Sequence, residues 1–423
     1  MIIIKLKYII LITEAEVMIR RDEYLNELIK WKNEKVIKVI TGIRRCGKST
    51  ILMQYRDYLI SSGVNSGNII YINFEDLEYE NLLDYREMYK YITARMKPDS
   101  MNYILLDEVQ KADGFQKAVD SLQLKDNADI TITGSNAYLL SGELATYLSG
   151  RYVEIKVLPL SFAEFCEIRG AGDYDRLFGD YMRFGSMPYV ASLDSIEKAD
   201  AYLEGIYNTI IVKDIELRQA RREPDADKRK VTDIVLLKNI ARFLASSIGN
   251  PISIKSITDY ITSAGRKVSA NTVGDYTRAL VEPYIFYVAE RYDINGKQLL
   301  KTNNKYYIAD VGLRRFLLPR KNYDLGFTLE NIVYLELLRR GYRVSVGKIG
   351  DYEIDFVTQK GEKTAYFQVT ASLIDEKTFE REIRPLRELK DNYEKNIITL
   401  DKFTPGDYDG INVINAVDWL RGC

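Results

Sequence analysis

Histidine is absent from all 423 residues, and that absence excludes Ser-His-Asp and Cys-His catalysis, histidine-ligated zinc and a histidine pH switch. Cysteine is scarce: Cys46, Cys166 and Cys423 share no metal-ligand spacing and form an odd set, which points to a reducing, cytoplasmic setting. Charge of either sign is not in excess. Sixty Lys and Arg face 61 Asp and Glu, a net of −1, so no chain-wide signal calls for a polyanion. A long hydrophobic run is missing too. Met1–Ile12 is apolar but broken by Lys5 and Lys7, too short to span a bilayer, and Thr13–Val17 makes a poor cleavage site, so no membrane partner is expected. Residues 1–17 read as an N-terminal extension, or else as an edge strand. A chain of this length predicts two to four domains.

What is present is concentrated in Val36–Ser49, V-I-K-V-I-T-G-I-R-R-C-G-K-S, an apolar strand running into G-x-x-x-x-G-K-S. Phosphates need backbone N–H groups turned inward around them, and Gly42 and Gly47 allow the backbone angles and close approach that side chains block. The loop Gly42, Ile43, Arg44, Arg45, Cys46, Gly47, Lys48, Ser49 and Thr50 is therefore a nucleotide-binding P-loop, with ATP as ligand. Lys48 supplies a point charge near the β and γ phosphates, and the Ser49 hydroxyl is placed for Mg2+. A helix is expected next, since its N-terminal N–H groups complete the anion site, and Ile51, Tyr55 and Leu59 recur at helical spacing up to Gly63. Cys46, inside the cradle beside Arg44, Arg45 and Lys48, is expected to have a lowered thiol pKa.

Met101–Leu106 is a short apolar run ending in Asp107 and Glu108. It reads as a parallel core strand delivering two carboxylates to the edge where α/β sheets bind ligands. Asp107 would hold Mg2+, usually through water, and Glu108 would polarise the attacking water. Asp129–Asn136, D-I-T-I-T-G-S-N, is another β-rich run ending in small polar residues; it resembles the strand that carries the γ-phosphate sensor in AAA-type P-loop ATPases, and that resemblance implies Ser135 or Asn136 as the candidate. Asn73, on the strand Ile69–Glu75, is a candidate link between Glu108 and the rest of the protein.

The strings G-I-R-R-C-G-K-S-T-I-L, I-L-L-D-E-V-Q, I-T-G-S-N-A-Y-L-L-S-G-E-L and S-G-R-Y-V-E-I-K-V-L-P-L-S-F-A-E-F resemble the prokaryotic AAA-superfamily ATPases that carry a C-terminal domain of unknown function. The likeness runs from about Met18 to the C-terminus and is specific through about Phe165. It implies an α/β fold: a P-loop parallel sheet with a helical lid, then a winged helix, then a restriction-endonuclease-like α/β domain. The expected boundaries are 18–160 for the ATPase core, 161–230 for lid and linker, 231–320 for the winged helix and 321–423 for the last domain.

Leu160–Gln219 fits a helical lid, broken at Gly185–Pro188. Arg151, in S-G-R-Y, is a candidate arginine finger, able to neutralise charge on the transferred phosphoryl group, with Arg44 and Arg45 as rivals. An oligomer follows if Arg151 acts in trans. Arg221–Lys230 reads as a solvated linker. Three helical segments, Ile234–Ser247, Ser253–Ala264 and Ser269–Val281, precede β-rich Tyr284–Ile294 and Lys297–Lys301, joined by Asn295-Gly296 with both central residues expected at positive φ. That order describes a winged helix, whose third helix would offer Asn271, Thr272, Asp275 and Arg278 to DNA. Residues 231–320 hold 13 Lys and Arg against 7 Asp and Glu, a local +6 that favours nucleic acid over the other uses of such modules, docking protein and packing within the chain.

The last domain opens on a predicted amphipathic helix, Thr328–Arg340, followed by strands at Tyr342–Val346, Glu353–Val357 and Ala365–Val369. Glu330, Asp355 and Gln368-Val369-Thr370 resemble the layout of PD-(D/E)xK nucleases, in which two acids hold a metal and a lysine activates water. Gln368 and Thr370 stand where that pattern wants Glu and Lys. A neutral amide is a poor ligand for a hard cation and threonine carries no charge, so the scaffold is expected not to cut; Lys360 is the one candidate for a migrated lysine. The leading reading is an Mg2+-dependent ATPase moving a winged-helix and nuclease-like receptor. The alternatives are an ATP-gated DNA nuclease and a nucleotide-locked switch that recruits a protein partner.

Overall fold

The computed structural model describes residues 19–135, 150–214, 233–318, 325–403 and 406–422. Asn136 and the linker 221–230 lie outside the described residues.

The first sheet holds five parallel strands, β1 (Ile37–Thr41), β2 (Ile69–Asn73), β3 (Asn102–Asp107), β4 (Ala128–Gly134) and β5 (Tyr152–Lys156), in the order β2-β3-β4-β1-β5. Every residue of β1, β3 and β4 is buried, as expected for parallel strands covered on both faces. One polar pair is carried inside: Lys38 of β1 donates to Asp129 of β4 at 2.5 Å, both side chains fully buried. Burial lowers the Lys38 pKa, with Asp129 opposing that shift. Strand alternation sends Val39, Ile104, Leu106, Ile130 and Ile132 to one face, where they pack on the helices Tyr85–Arg95 and Phe115–Gln123. Ile40, Leu105 and Ile155 turn to the other face and meet the helix Lys48–Ser61.

That second face is covered by the rest of the chain. The hydrophobic cluster that contains Ile40 and Ile51 continues without a break through Phe162, Phe184, Leu237, Tyr307 and Val333 to Leu420. The helices Phe162–Arg169, Tyr174–Phe184, Pro188–Ala191 and Ile196–Asn208 follow β5. Ser161 opens the first of them with a reciprocal capping box to Glu164.

The second sheet has nine strands: β6 (Pro251–Ile252), β7 (Phe286–Asp293), β8 (Gln298–Ile308), β9 (Arg343–Ile349), β10 (Tyr352–Lys360), β11 (Lys363–Thr370), β12 (Glu394–Thr399), β13 (Asp407–Tyr408) and β14 (Ile411–Asn415). Their order is β13-β14-β12-β11-β10-β9-β7-β8-β6. Three helices, Ile234–Ser246, Ile254–Ser263 and Ala270–Val281, precede the β7–β8 hairpin, capped by Asp233, Ser253 and Ser269. The hairpin extends well past Lys301, because the two-residue β6 pairs with Lys305 and Asn304. Its turn also differs from expectation. Asp293 pairs with Gln298 and the positive φ falls on Lys297, while the Asp293 carboxylate accepts from the Gly296 N–H at 3.1 Å. Parallel pairing of Arg291–Asp293 with Val346–Lys348 joins this hairpin to the last six strands, β9 to β14, so one sheet runs straight through the expected 320/321 boundary. The helix Leu325–Arg339 is buried on all sides from Thr328 to Leu337, not amphipathic, because it lies between that sheet and the first half of the chain.

Candidate nucleotide-binding site

The turn from β1 into the helix Lys48–Ser61 is set by its glycines. Gly42 has φ +145°, and a Cβ there would lie 2.1 Å from the Val157 carbonyl oxygen; Gly47 has φ +101°. Lys48 is buried and donates from Nζ to the carbonyls of Gly42 at 3.1 Å and Ile43 at 3.2 Å, with Glu108 Oε1 at 3.8 Å. Its charge thus sits at the mouth of the loop, held by the loop's own backbone.

β3 delivers Asp107 and Glu108 beside it. Asp107 is buried, and burial raises its carboxyl pKa against hydrogen bonds from Thr133 and Ser49. Thr133 on β4 serves both acids: its hydroxyl donates to Asp107 Oδ1 at 2.5 Å and accepts from the Glu108 N–H at 2.9 Å. Glu108 is left-handed at φ 51°, a strained conformation for a side-chain-bearing residue, and turns the chain sharply at the sheet edge. Gln110 donates from Nε2 to Glu108 and lies 3.4 Å from Ser135 Oγ, so Ser135 reaches Glu108 through an amide. Asn136 cannot be located among the described residues. Asn73 does not reach the acids: its Oδ1 accepts from the Glu75 N–H at 2.9 Å in a local turn.

Arg44, Arg45, Gly47, Lys48, Ser49, Thr50, Glu75 and Glu108 line one wall of a cavity of about 200 Å³. Arg21, Ser192 and a set of apolar and aromatic residues, Ile19, Leu160, Ile168, Pro188, Tyr189 and Tyr202, complete the lining. The two tyrosine rings are tilted 47° with centroids 4.7 Å apart. One side is cationic and rich in N–H groups, the other apolar and aromatic, which suits a phosphate chain and a base. Arg44 and Lys111 flank Glu75 at 3.1 and 3.4 Å; burial alone would raise the Glu75 pKa, but these cations hold it low.

One sequence expectation needs correction, and one residue lies away from the cavity. Cys46 is fully buried beneath the loop, is absent from the cavity lining, and has its thiol pKa pushed up by burial in spite of Lys48 and Arg21. Arg151 is half exposed, 4.0 Å from Asp120, and its carbonyl accepts from Ile37 N–H at the start of β1. It therefore stands at the opposite sheet edge from the P-loop, the full length of β1 away, and is not part of this chain's own cavity.

Arg21, Thr133, Gln110 and the tyrosine pair were not read from the sequence. Arg21 donates to the Cys46 carbonyl at 2.9 Å, to the Leu158 and Pro159 carbonyls, and bidentately to Glu164 at 2.8 and 2.9 Å. It precedes every recognisable motif. Gln110, two residues past the acidic pair, was the one within reach of a pattern.

The C-terminal residues do come together. Glu330, Asp355, Gln368 and Thr370 line a second cavity of about 460 Å³ with Glu353 and Glu382. Gln368 accepts from the Asp355 N–H at 3.3 Å and donates to Glu382 at 2.7 Å, and Asp355 Oδ2 accepts from the Val369 N–H at 2.9 Å. Lys360 is elsewhere, donating to the Arg340 carbonyl at 2.6 Å. Of the helix offered to DNA, Asn271 and Arg278 are exposed, while Asp275 lies 3.5 Å from Arg278 and Thr272 shares a hydroxyl contact with Ser269.

Residues 34–166 match the AAA domain family, and residues 175–324 match a domain of unknown function. An uncharacterized protein of Haemophilus influenzae is 44% identical over 412 residues, 96% of this chain and 99% of its own length. The chain belongs to its family. An uncharacterized protein of Methanocaldococcus jannaschii is 30% identical over 388 residues, covering 86% of this chain and 82% of its own. The Walker-type ATPase of Pyrococcus abyssi superposes with a TM-score of 0.46 at 16% identity, over 71% of this chain and 96% of that one. The five-stranded parallel sheet with its P-loop is accordingly the AAA-type ATPase domain. Among the described residues no helix is long and apolar enough to cross a membrane.

Proposed function

We propose that this family member is an Mg2+-dependent ATPase whose nucleotide state is passed to the second half of the chain, a winged-helix and nuclease-like receptor for nucleic acid. The observation that carries the reading is the convergence of Lys48, Ser49 and Glu108 on one cavity, with Asp107 hydrogen-bonded to Ser49 beneath it and Gln110 and Ser135 behind Glu108. Lys48 exchanges its loop carbonyls for β and γ phosphate oxygens. Ser49, with Asp107 acting through water, would hold Mg2+, which supplies charge neutralisation on the phosphates. Glu108 orients and polarises the attacking water, and Gln110 and Ser135 tie that carboxylate to the end of β4.

The route outward starts at the base pocket. Pro188 and Tyr189 line it, and two residues earlier the Ser186 hydroxyl donates at 2.8 Å to Asp310, which caps the helix Val311–Leu317. Gly185 and Gly312 allow this close approach: a Cβ on Gly312 would meet the Phe184 carbonyl at 2.1 Å. Nucleic acid as the target is supported by the helix order with β6 paired to β8, which is that of a winged helix, and by the local positive charge.

Steady-state ATP turnover with single-stranded DNA, duplex DNA and RNA tests the reading. Turnover that needs Mg2+ and rises with one of these polymers is expected. A chain that binds ATP without turning it over would leave the protein-recruiting switch standing instead.

A further inference from the structure

The acids of the C-terminal cavity already have a cation. Lys305, in the middle of β8, is 3% exposed, and its Nζ lies 3.0 Å from Glu330, 2.9 Å from Glu353 and 3.3 Å from Asp355. Three carboxylates from two other elements, the helix Leu325–Arg339 and β10, thus point at one ammonium. Tyr307, two residues along the same face of β8, donates to Glu330 Oε1 at 2.6 Å. Burial opposes the charge on Lys305, but the surrounding carboxylates outweigh it and raise the Lys305 pKa.

A divalent ion would need two or more of these carboxylates as direct ligands, with oxygens at roughly 2.0–2.6 Å. Lys305 stands in that place, bonded to each of them. The remaining candidate ligand, Gln368, spends its oxygen on the Asp355 N–H and its nitrogen on Glu382. Among the described residues no group of acids or cysteines is arranged to hold a metal.

We infer that Lys305 is the resident cation of this cavity: supplied by the hairpin, it takes the place between Glu330, Glu353 and Asp355 that a metal ion takes in a two-acid nuclease site. The C-terminal unit is then independent of divalent metal, and the ammonium staples β8 to the helix Leu325–Arg339 and to β10. The inference deepens the nuclease-like part of the proposed function and is separable from the ATPase part, because it is read without nucleotide.

Mn2+ bound to the full nucleotide-free chain is counted by electron paramagnetic resonance, with Asp355→Asn, Lys305→Ala, Lys305→Met and Lys305→Ala/Asp355→Asn alongside. Removing the ammonium uncovers three clustered carboxylates, so the parent should retain no Mn2+, Lys305→Ala should gain about one ion per chain, and the added Asp355→Asn should abolish it. Mn2+ on the parent that disappears in Asp355→Asn overturns the inference, as does a folded Lys305→Ala chain that takes up none. Should both Lys305 variants fail to fold, the parent count decides: no ion upholds the resident cation and a bound ion lost in Asp355→Asn refutes it.

Discussion

Arg21 and Arg339, from opposite ends of the chain, both donate to the carbonyl oxygen of Pro159, at 3.3 and 2.7 Å. Arg21 reaches on to the P-loop through Cys46, and Arg339 reaches back to Glu336 on the long buried helix at 2.7 Å. The short segment after β5 is thereby held from the phosphate side and from the C-terminal side at once.

Arg21→Ala should destabilise the chain by about 3–5 kcal/mol, because it strands the nearly buried Glu164 carboxylate and frees the Cys46 carbonyl. Arg21→Met combined with Glu164→Gln should recover part of that loss, since no charge is then left unpaired. Urea unfolding of Arg21→Met, Glu164→Gln and their combination checks this; strictly additive losses would remove the coupling.

Lys48→Ala should lose most nucleotide affinity, whereas Glu108→Gln should keep affinity and lose turnover by about 10²-fold or more. The first deletes a phosphate contact and the second only the water-polarising group. Fluorescent-nucleotide titration beside turnover separates them, and equal loss of affinity in both would refute the assignment.

Cys46 should resist alkylation in the folded chain, with or without Mg·ATP, because its sulfur is buried and its thiol pKa is raised. Mass spectrometry of native and urea-unfolded samples reads this directly. Rapid native labelling blocked by ATP would show that the loop opens far more than its packing allows.

Burial pushes the Glu330 carboxyl from 4.5 up to about 7, against the pull of Lys305. The folded chain therefore binds this proton more tightly than the unfolded one. Stability from this group is present at low pH and is lost as pH rises from about 4.5 to 7, levelling off above. The difference in urea midpoint between parent and Glu330→Gln, followed across that window, should fall with pH; a rising difference would reverse the sign.

The ATPase half was legible because its chemistry is local: strand, glycine turn, lysine and helix are contiguous, and Asp107-Glu108 end an apolar run. Residues that act from a distance left no such trace. Arg21 is one arginine among many until the fold lays it under Cys46, and Lys305 sits in a hairpin whose sequence says only that it alternates. The reading of Cys46 failed on direction, since a P-loop has an inner face toward phosphate and an underside toward the core, and sequence spacing does not tell them apart. Arg151 precedes a parallel strand, which enters the sheet at the edge opposite the one used for ligand, so within one chain it stays away from the cavity and the finger reading rests on action in trans. The two residues of β6 are too few for any periodicity, yet they close the hairpin's outer edge.

The pairing of β7 with β9 has a practical consequence for anyone dividing this chain. A fragment ending after residue 318 would keep its helices and hairpin but lose the strand that covers Arg291–Asp293. It would also bare Tyr307, whose buried ring stacks on Tyr334 and lies against Phe356 in the intact protein. An open strand edge beside a newly bared apolar surface is a template for self-association, so such a fragment should aggregate where the full chain does not.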